Sequence, residues 1–354
     1  MKILFRPLLI GLALLALVGA GCAFGGSSKV DTSKDGGVYK STNSGATWSQ
    51  ATAFPTAKGV GNIGAAEILS LVVDPQDHQV VYAATSENGL LMSYDSGASW
   101  QSPKDADLQN GKLVTVAVDP KNVCTIYAAS ETRLYKSETC GRDFASVYDE
   151  ARGKIYLRRL AVDWYNEGVV YLALSNGDIL KSLNSGKSWT NVAMLKSDIT
   201  ALLINNQDSR VILAGTVRGF WKSTDSAATW VDKTEALESY SSASNIYSIV
   251  QDTAGSNWLL SSQYGILRST DVGETWAGLK LLTSPGQVVI KALGLDSKNT
   301  NNIYYATSAN FYSTVDGGSN WDTLKLSGSG WTVSTMLIDP EETSVIYLGK
   351  EKVK

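Results

Sequence analysis

Histidine is almost absent from this chain of 354 residues, with His78 the sole example. His78 falls in a predicted turn, which excludes Ser-His-Asp and Cys-His nucleophilic catalysis. Cysteine is scarce too, confined to Cys22, Cys124 and Cys140, so no His/Cys cluster offers zinc a ligand set. No P-loop and no dinucleotide fingerprint occurs. Neither a metal nor a cofactor is expected. A charge excess is also lacking: 31 basic against 34 acidic residues leave a net charge of −3. That balance gives no electrostatic reason to expect nucleic acid or an anionic membrane surface as partner. What is present, 44% hydrophobic and 18% charged residues, suits a folded domain with a large core.

The first residues stand apart. Lys2 and Arg6 precede an apolar run, Leu8 to Val18, that is too short for a spanning helix. Gly19-Ala20-Gly21-Cys22 then resembles the lipobox of bacterial lipoproteins, although Gly19 stands where that motif has Leu, Val or Ile. The resemblance implies a signal peptide over 1–21 and lipidation at Cys22. A flexible tether over 22–36 follows, leading to a folded region over 37–354. The expected location is the bacterial cell envelope, on the outer membrane or cell surface, with the membrane reached through the lipid.

A turn motif recurs seven times: "STNSGATW" (41–48), "SYDSGASW" (93–100), "SETCGRDF" (137–144), "SLNSGKSW" (182–189), "STDSAATW" (223–230), "STDVGETW" (269–276) and "TVDGGSNW" (314–321). The pattern S-x-D-x-G-x-x-W resembles the Asp-box, or BNR repeat, of sialidases, Vps10/sortilin domains and xyloglucanase-type propellers. Its structural residues here are Asn43 and Trp48, Asp95 and Trp100, Asn184 and Trp189, Asp225 and Trp230, Asp271 and Trp276, and Asp316 and Trp321. The third copy departs most, with Thr139 for the acid and Phe144 for the indole.

A second repeat interleaves with the first. "LSLVVDPQDHQVVYAAT" (69–85) has six echoes, and their turn residues are Asp74, Asp119, Asp163, Asn205, Asp252, Asp296 and Asp339, spaced 42 to 47 apart. Each copy reads as strand, Asp-centred turn, strand. Four short strands per period predict an all-β, seven-bladed β-propeller of four-stranded antiparallel blades. The chain opens on a box without its preceding Asp turn and ends on an Asp turn without a following box. The last blade should therefore be composite, built from 334–350 and 37–49, which leaves no free edges. Leu71, Val116, Leu160, Leu202, Ile249, Leu293 and Met336 should pack between blades. The preceding positions, Ser70, Thr115, Arg159, Ala201, Ser248, Ala292 and Thr335, are small for a narrow axial channel, with Arg159 the exception.

In this reading the box is a fastener. Its acid accepts N–H bonds within the turn, its glycine relieves the backbone, and burial of its indole stabilises by about 2–3 kcal/mol. A glycan-binding role for the indoles is the alternative. Cys124 and Cys140 lie nearly equidistant from a hairpin tip near Glu131 in the weakest blade. They are expected to form a disulfide that compensates for the lost Asp and Trp, consistent with export.

The resemblance leaves function open. No F/Y-R-I-P segment or arginine triad of the sialidases is present, and xyloglucanase-like enzymes work in a cleft between two propellers. The expectation is a non-catalytic, membrane-anchored module that binds a protein or complex, or a glycan. A glycoside hydrolase and a Ycf48-like photosystem assembly factor are the alternatives. Recognition is expected on the face opposite the turns, where Arg158, Arg159, Arg218, Tyr247, Tyr264 and Lys291 form a candidate basic and aromatic patch. Trp164 and Tyr165, on the turn face, either mark a contact surface or cover a neighbouring turn.

Overall fold

A computed structural model describes residues 34–353. Cys22, the signal peptide and the tether up to residue 33 lie outside the described residues. Residues 34–36, expected at the end of the tether, are already fastened: Gly36 N–H donates to Gly64 O at 2.8 Å, and Tyr39 Oη to Asp35 O at 3.2 Å.

Seven sheets stand in a ring. Their innermost strands are Ile68–Val73, Leu113–Val118, Leu157–Val162, Ile199–Ile204, Ile246–Gln251, Ala292–Leu295 and Trp331–Ile338, and the blades are numbered one to seven in that order. Each innermost strand touches the next, and that of blade seven touches that of blade one, so the circle is closed. Blade seven is composite, as the sequence predicts. Val38–Ser41 pairs with Ile346–Lys352 in the register Val38↔Gly349 to Ser41↔Ile346, and Ser49–Gln50 forms the outer edge. Blade one is the thinnest. Its fourth strand shrinks to the single bridge Met92↔Gln101, and the hairpin Ala53–Thr56/Gly59–Asn62 lies against it through Ala53↔Ser99.

Burial follows position in the blade. The second strands, such as Val81–Thr85, Val170–Leu174 and Trp258–Ser262, are buried along their whole length, because sheets cover both of their faces. The bulky inner-strand positions serve as inter-blade packing. Leu160 clusters with Tyr127 and Ala129 of blade two, and Leu71 with Tyr347 of blade seven.

The S-x-D-x-G-x-x-W turns are built alike. In blade one Ser93 Oγ donates to Asp95 Oδ1 at 2.8 Å and accepts from Gly97 N–H at 2.8 Å. Asp95 then accepts the Ser99 N–H at 2.8 Å and its hydroxyl at 2.6 Å. Asp225 and Asp271 repeat this with Thr229 and Thr275. Bonds from the Thr229 hydroxyl and N–H hold the Asp225 carboxyl down at about 2, and the Asn320 N–H and side chain do the same for Asp316. Gly97 is favoured on two counts: its φ is +80°, and a Cβ there would approach Tyr347 of the neighbouring blade to 3.0 Å.

The turns also latch one blade to the next. Trp100 Nε1 donates to Ala51 O at 2.8 Å, Trp189 to Val147 O at 3.0 Å and Trp321 to Lys280 O at 2.9 Å, each acceptor belonging to the preceding blade. In return the preceding blade reaches forward. Tyr347 Oη and Lys40 Nζ both donate to Ser96 O, at 2.9 and 2.8 Å, and Tyr171 and Lys181 do the same to Ser226 O. Trp48, Trp230 and Trp276 occupy the same site, but their buried indole N–H groups have no partner. Blade two has Phe144 instead, and there Cys124 and Cys140 are joined as a disulfide spanning 16 residues.

On the same face Trp164 is half-buried and donates to Asn205 O at 2.8 Å, so it covers a neighbouring turn. Tyr165 stays exposed with the Lys121 ammonium 5.4 Å from its ring centre. His78 Nδ1 lies 2.6 Å from Asp339 Oδ1 and ties the turns of blades one and seven together.

Candidate functional site

The opposite face carries the loops between blades and the loops between second and third strands. A backbone irregularity shapes its centre. In six blades the register of the inner strand shifts near its start, leaving Leu69, Val114, Arg158, Thr200, Tyr247 and Ser334 as bulged residues. In blade six Lys291 precedes the strand at the equivalent place. A bulge adds one residue and re-aims its side chain, so seven unlike groups gather at the mouth of the axial channel.

Four of the six expected face residues belong to this mouth: Arg158, Arg159, Tyr247 and Lys291. They do not form a free basic patch. Arg158 makes a bidentate pair with Asp198, Nε and Nη2 each 2.7 Å from a carboxylate oxygen, and this bond raises the guanidinium pKa further. Lys291 Nζ is 2.7 Å from Glu351 Oε1. Burial raises the Tyr247 phenol, with Lys291 as its charged neighbour. Arg218 and Tyr264 stand apart, on loops between second and third strands. Arg218 is exposed, whereas Tyr264 packs edge-on against Tyr240 with ring centres 5.0 Å apart. Tyr264 also borders an open hollow of about 440 Å³ with Leu279, Leu281, Leu282 and Pro285.

Motif and spacing do not mark the carboxylates of this face. Glu67, Glu131, Asp198 and Glu351 come from four blades and all sit at the loop-face ends of first or second strands. Their cations are Lys352 at 4.0 Å, Lys112 at 2.8 Å, Arg158 at 2.7 Å and Lys291 at 2.7 Å, respectively. Their common place in the repeat, just before an inner strand or at the far end of a second strand, is the available signal. Further out, Arg152 bridges the buried Glu150 and Asp178 at 2.7 Å each, and its bonds hold Glu150 at about 2. Among the described residues no group of three or more His, Cys, Asp or Glu could hold a metal ion.

No family profile matches the chain. It is 25% identical over 360 residues to a xyloglucanase of Paenibacillus sp., a match covering 89% of this chain and 33% of that enzyme. The chain thus spans about a third of the length of this curated relative. Among solved structures, a GH74 enzyme of Niastella koreensis superposes with a TM-score of 0.64 at 17% identity, over 80% of this chain and 51% of that one. Ycf48 bound to a D1 peptide superposes with a TM-score of 0.62 at 14% identity, over 82% of this chain and 93% of that one. At these identities the structural likenesses establish the propeller and nothing finer. The expectation of a non-catalytic binding module is overturned by the curated relative, which is named as a hydrolase.

Proposed function

We propose that this chain is the propeller of a glycoside hydrolase acting on a xyloglucan-type β-glucan, with the loop face as its working face. The observation that carries the reading is the match to a xyloglucanase across 89% of the chain. Glycoside hydrolysis requires two carboxyl groups about 5–10 Å apart, one to protonate the leaving oxygen and one to attack or to activate water. Glu67 and Glu351 are the proposed pair. They stand on adjacent blades, and the inner strand of blade one touches both inner strands of blade seven. Glu67, in the loosest ion pair of the four, is the candidate proton donor. Glu351, bonded to Lys291, is the candidate base or nucleophile. The hollow beside Tyr264 would take a neighbouring sugar.

In the same proposal the recurrent turns are Asp-boxes and serve as structural fasteners. The chain is exported and held at the cell envelope by a lipid on Cys22, and the Cys124–Cys140 disulfide supports an oxidising compartment. The test is incubation of the purified chain with xyloglucan and measurement of product length by mass spectrometry. Shortened chains are expected, with Glu67→Gln and Glu351→Gln each lowering the rate by about 10²–10⁴-fold. Polymer of unchanged length would overturn the proposal.

A further inference from the structure

Arg159 is out of place in the ring. Its counterparts in register are Ser70, Thr115, Ala201, Ser248, Ala292 and Thr335; these pair on the second strands with Ala84, Ala129, Gly215, Ser261, Ala306 and Gly349, and Arg159 itself with Ala173. A long cation therefore enters a layer otherwise made of small side chains. It is deeply surrounded by protein yet keeps some accessible surface, as a group lining a channel does. Among the described residues the one hydrogen bond of its guanidinium is to the Arg158 carbonyl at 2.9 Å. The charged groups acting on it are Arg158, which repels it, and Asp198, which already receives both nitrogens of Arg158.

A guanidinium cannot shed its proton in a protein, so it cannot escape burial by becoming neutral. Buried charges are accordingly paired, and this one lacks a carboxylate of its own. At the same register position in their own blades, Ser70, Thr115, Ser248 and Thr335 carry hydroxyls that make no hydrogen bond within the described residues. We propose that the axial channel is a binding site for a small oxyanion, a carboxylate or phosphate group, held by the Arg159 guanidinium with the ring hydroxyls as further donors. The planar fork of guanidinium suits such an anion bidentately. A neutral glucan offers no charge to satisfy it, so this site is separate from the proposed hydrolytic pair and does not depend on it.

The test is the thermal midpoint of the full chain as sodium phosphate, and separately sodium acetate, replaces sodium chloride at constant ionic strength. The wild type should rise saturably, by roughly 2–4 °C, with the better anion showing whether the site prefers phosphate or carboxylate. Arg159→Ser, which installs the residue of blades one and five, should keep only the shallow, unsaturating response common to excluded salts. Arg159→Lys should weaken the saturable part at least several-fold. Isothermal titration of phosphate and of acetate into the wild type reads the same event without any variant. Absence of saturable binding for both anions, or an undiminished response in Arg159→Ser, overturns the proposal.

Discussion

The two faces of the ring solve the same electrostatic problem differently. On the turn face the acid of each S-x-D-x-G-x-x-W turn is satisfied within a few residues of itself. Asp95 is held by Ser93 and Ser99, Asp225 by Ser223 and Thr229, and Asp271 by Ser269 and Thr275. On the loop face the partners are far apart in sequence: Arg158 with Asp198, 40 residues on, and Lys291 with Glu351, 60 residues on. Local bonds can be copied seven times because each copy carries its own partner. Bonds between blades on the loop face differ from one blade to the next, and that non-repetition concentrates chemical variety there. One face is a set of fasteners, and the other is a surface on which specificity can be written.

Substitutions should divide along that line. The largest effect is expected from Trp100→Ala. This indole is 1% exposed and bonded to the preceding blade, and its loss should cost about 3–5 kcal/mol in denaturant unfolding. Asp198→Asn on the loop face breaks a half-buried pair and should cost no more than about 1 kcal/mol. Equal losses from the two changes would erase the distinction between the faces.

The next effect concerns the exceptional blade. Replacing both Cys124 and Cys140 by Ala should cost about 3 kcal/mol, read from the urea midpoint with and without reductant. A reductant-insensitive midpoint would show that blade two needs no substitute for its missing indole.

Acid should then loosen the turn-face fasteners and the Arg152 bridge together. The folded-state values of Asp225, Asp316 and Glu150 are depressed to about 2. Their contribution is therefore complete above the ordinary carboxylate range near 4 and lost as pH falls from there towards 2. Denaturant midpoints measured from pH 5 to pH 2 should fall through that window. Lys350 acts in the opposite sense. Buried against the Tyr39 ring at 4.0 Å, its ammonium is pushed down to about 8, so its charged form weighs against folding at neutral pH. Stability should rise between pH 8 and the ordinary lysine value near 10.4, and Lys350→Met should flatten that rise.

The smallest effect should be a gain. Val272 holds φ at +58°, whereas Ser44, Ser96, Ser185 and Ser226 fill the equivalent place in other blades. A β-branched side chain is strained there, so Val272→Ser should stabilise by up to about 1 kcal/mol. Unchanged or lower thermal stability would mean that the packing of Val272 against its hydrophobic cluster outweighs the strain.

The blade number and the composite seventh blade were legible in the chain because spacing and hydrophobic alternation are linear properties, and a ring of identical units converts them directly into geometry. The Cys124–Cys140 pairing was legible for the same reason, since the two residues flank one hairpin. Arg158 and Lys291 were legible as mouth residues but not as neutralised ones. Asp198 and Glu351 lie outside the inner strands, and their place in the repeat does not say which cation each one meets.

The amino-acid sequence by itself therefore determined the sevenfold propeller and the hydrogen bonds around each turn acid, because that acid finds its partners within its own turn. Only the tertiary structure decided which loop-face charges cancel and that Arg159 is left inside the channel with none of its own. Those outcomes depend on which blades meet when the circle closes, and contact between residues from different repeats is set by that closure rather than by distance along the chain.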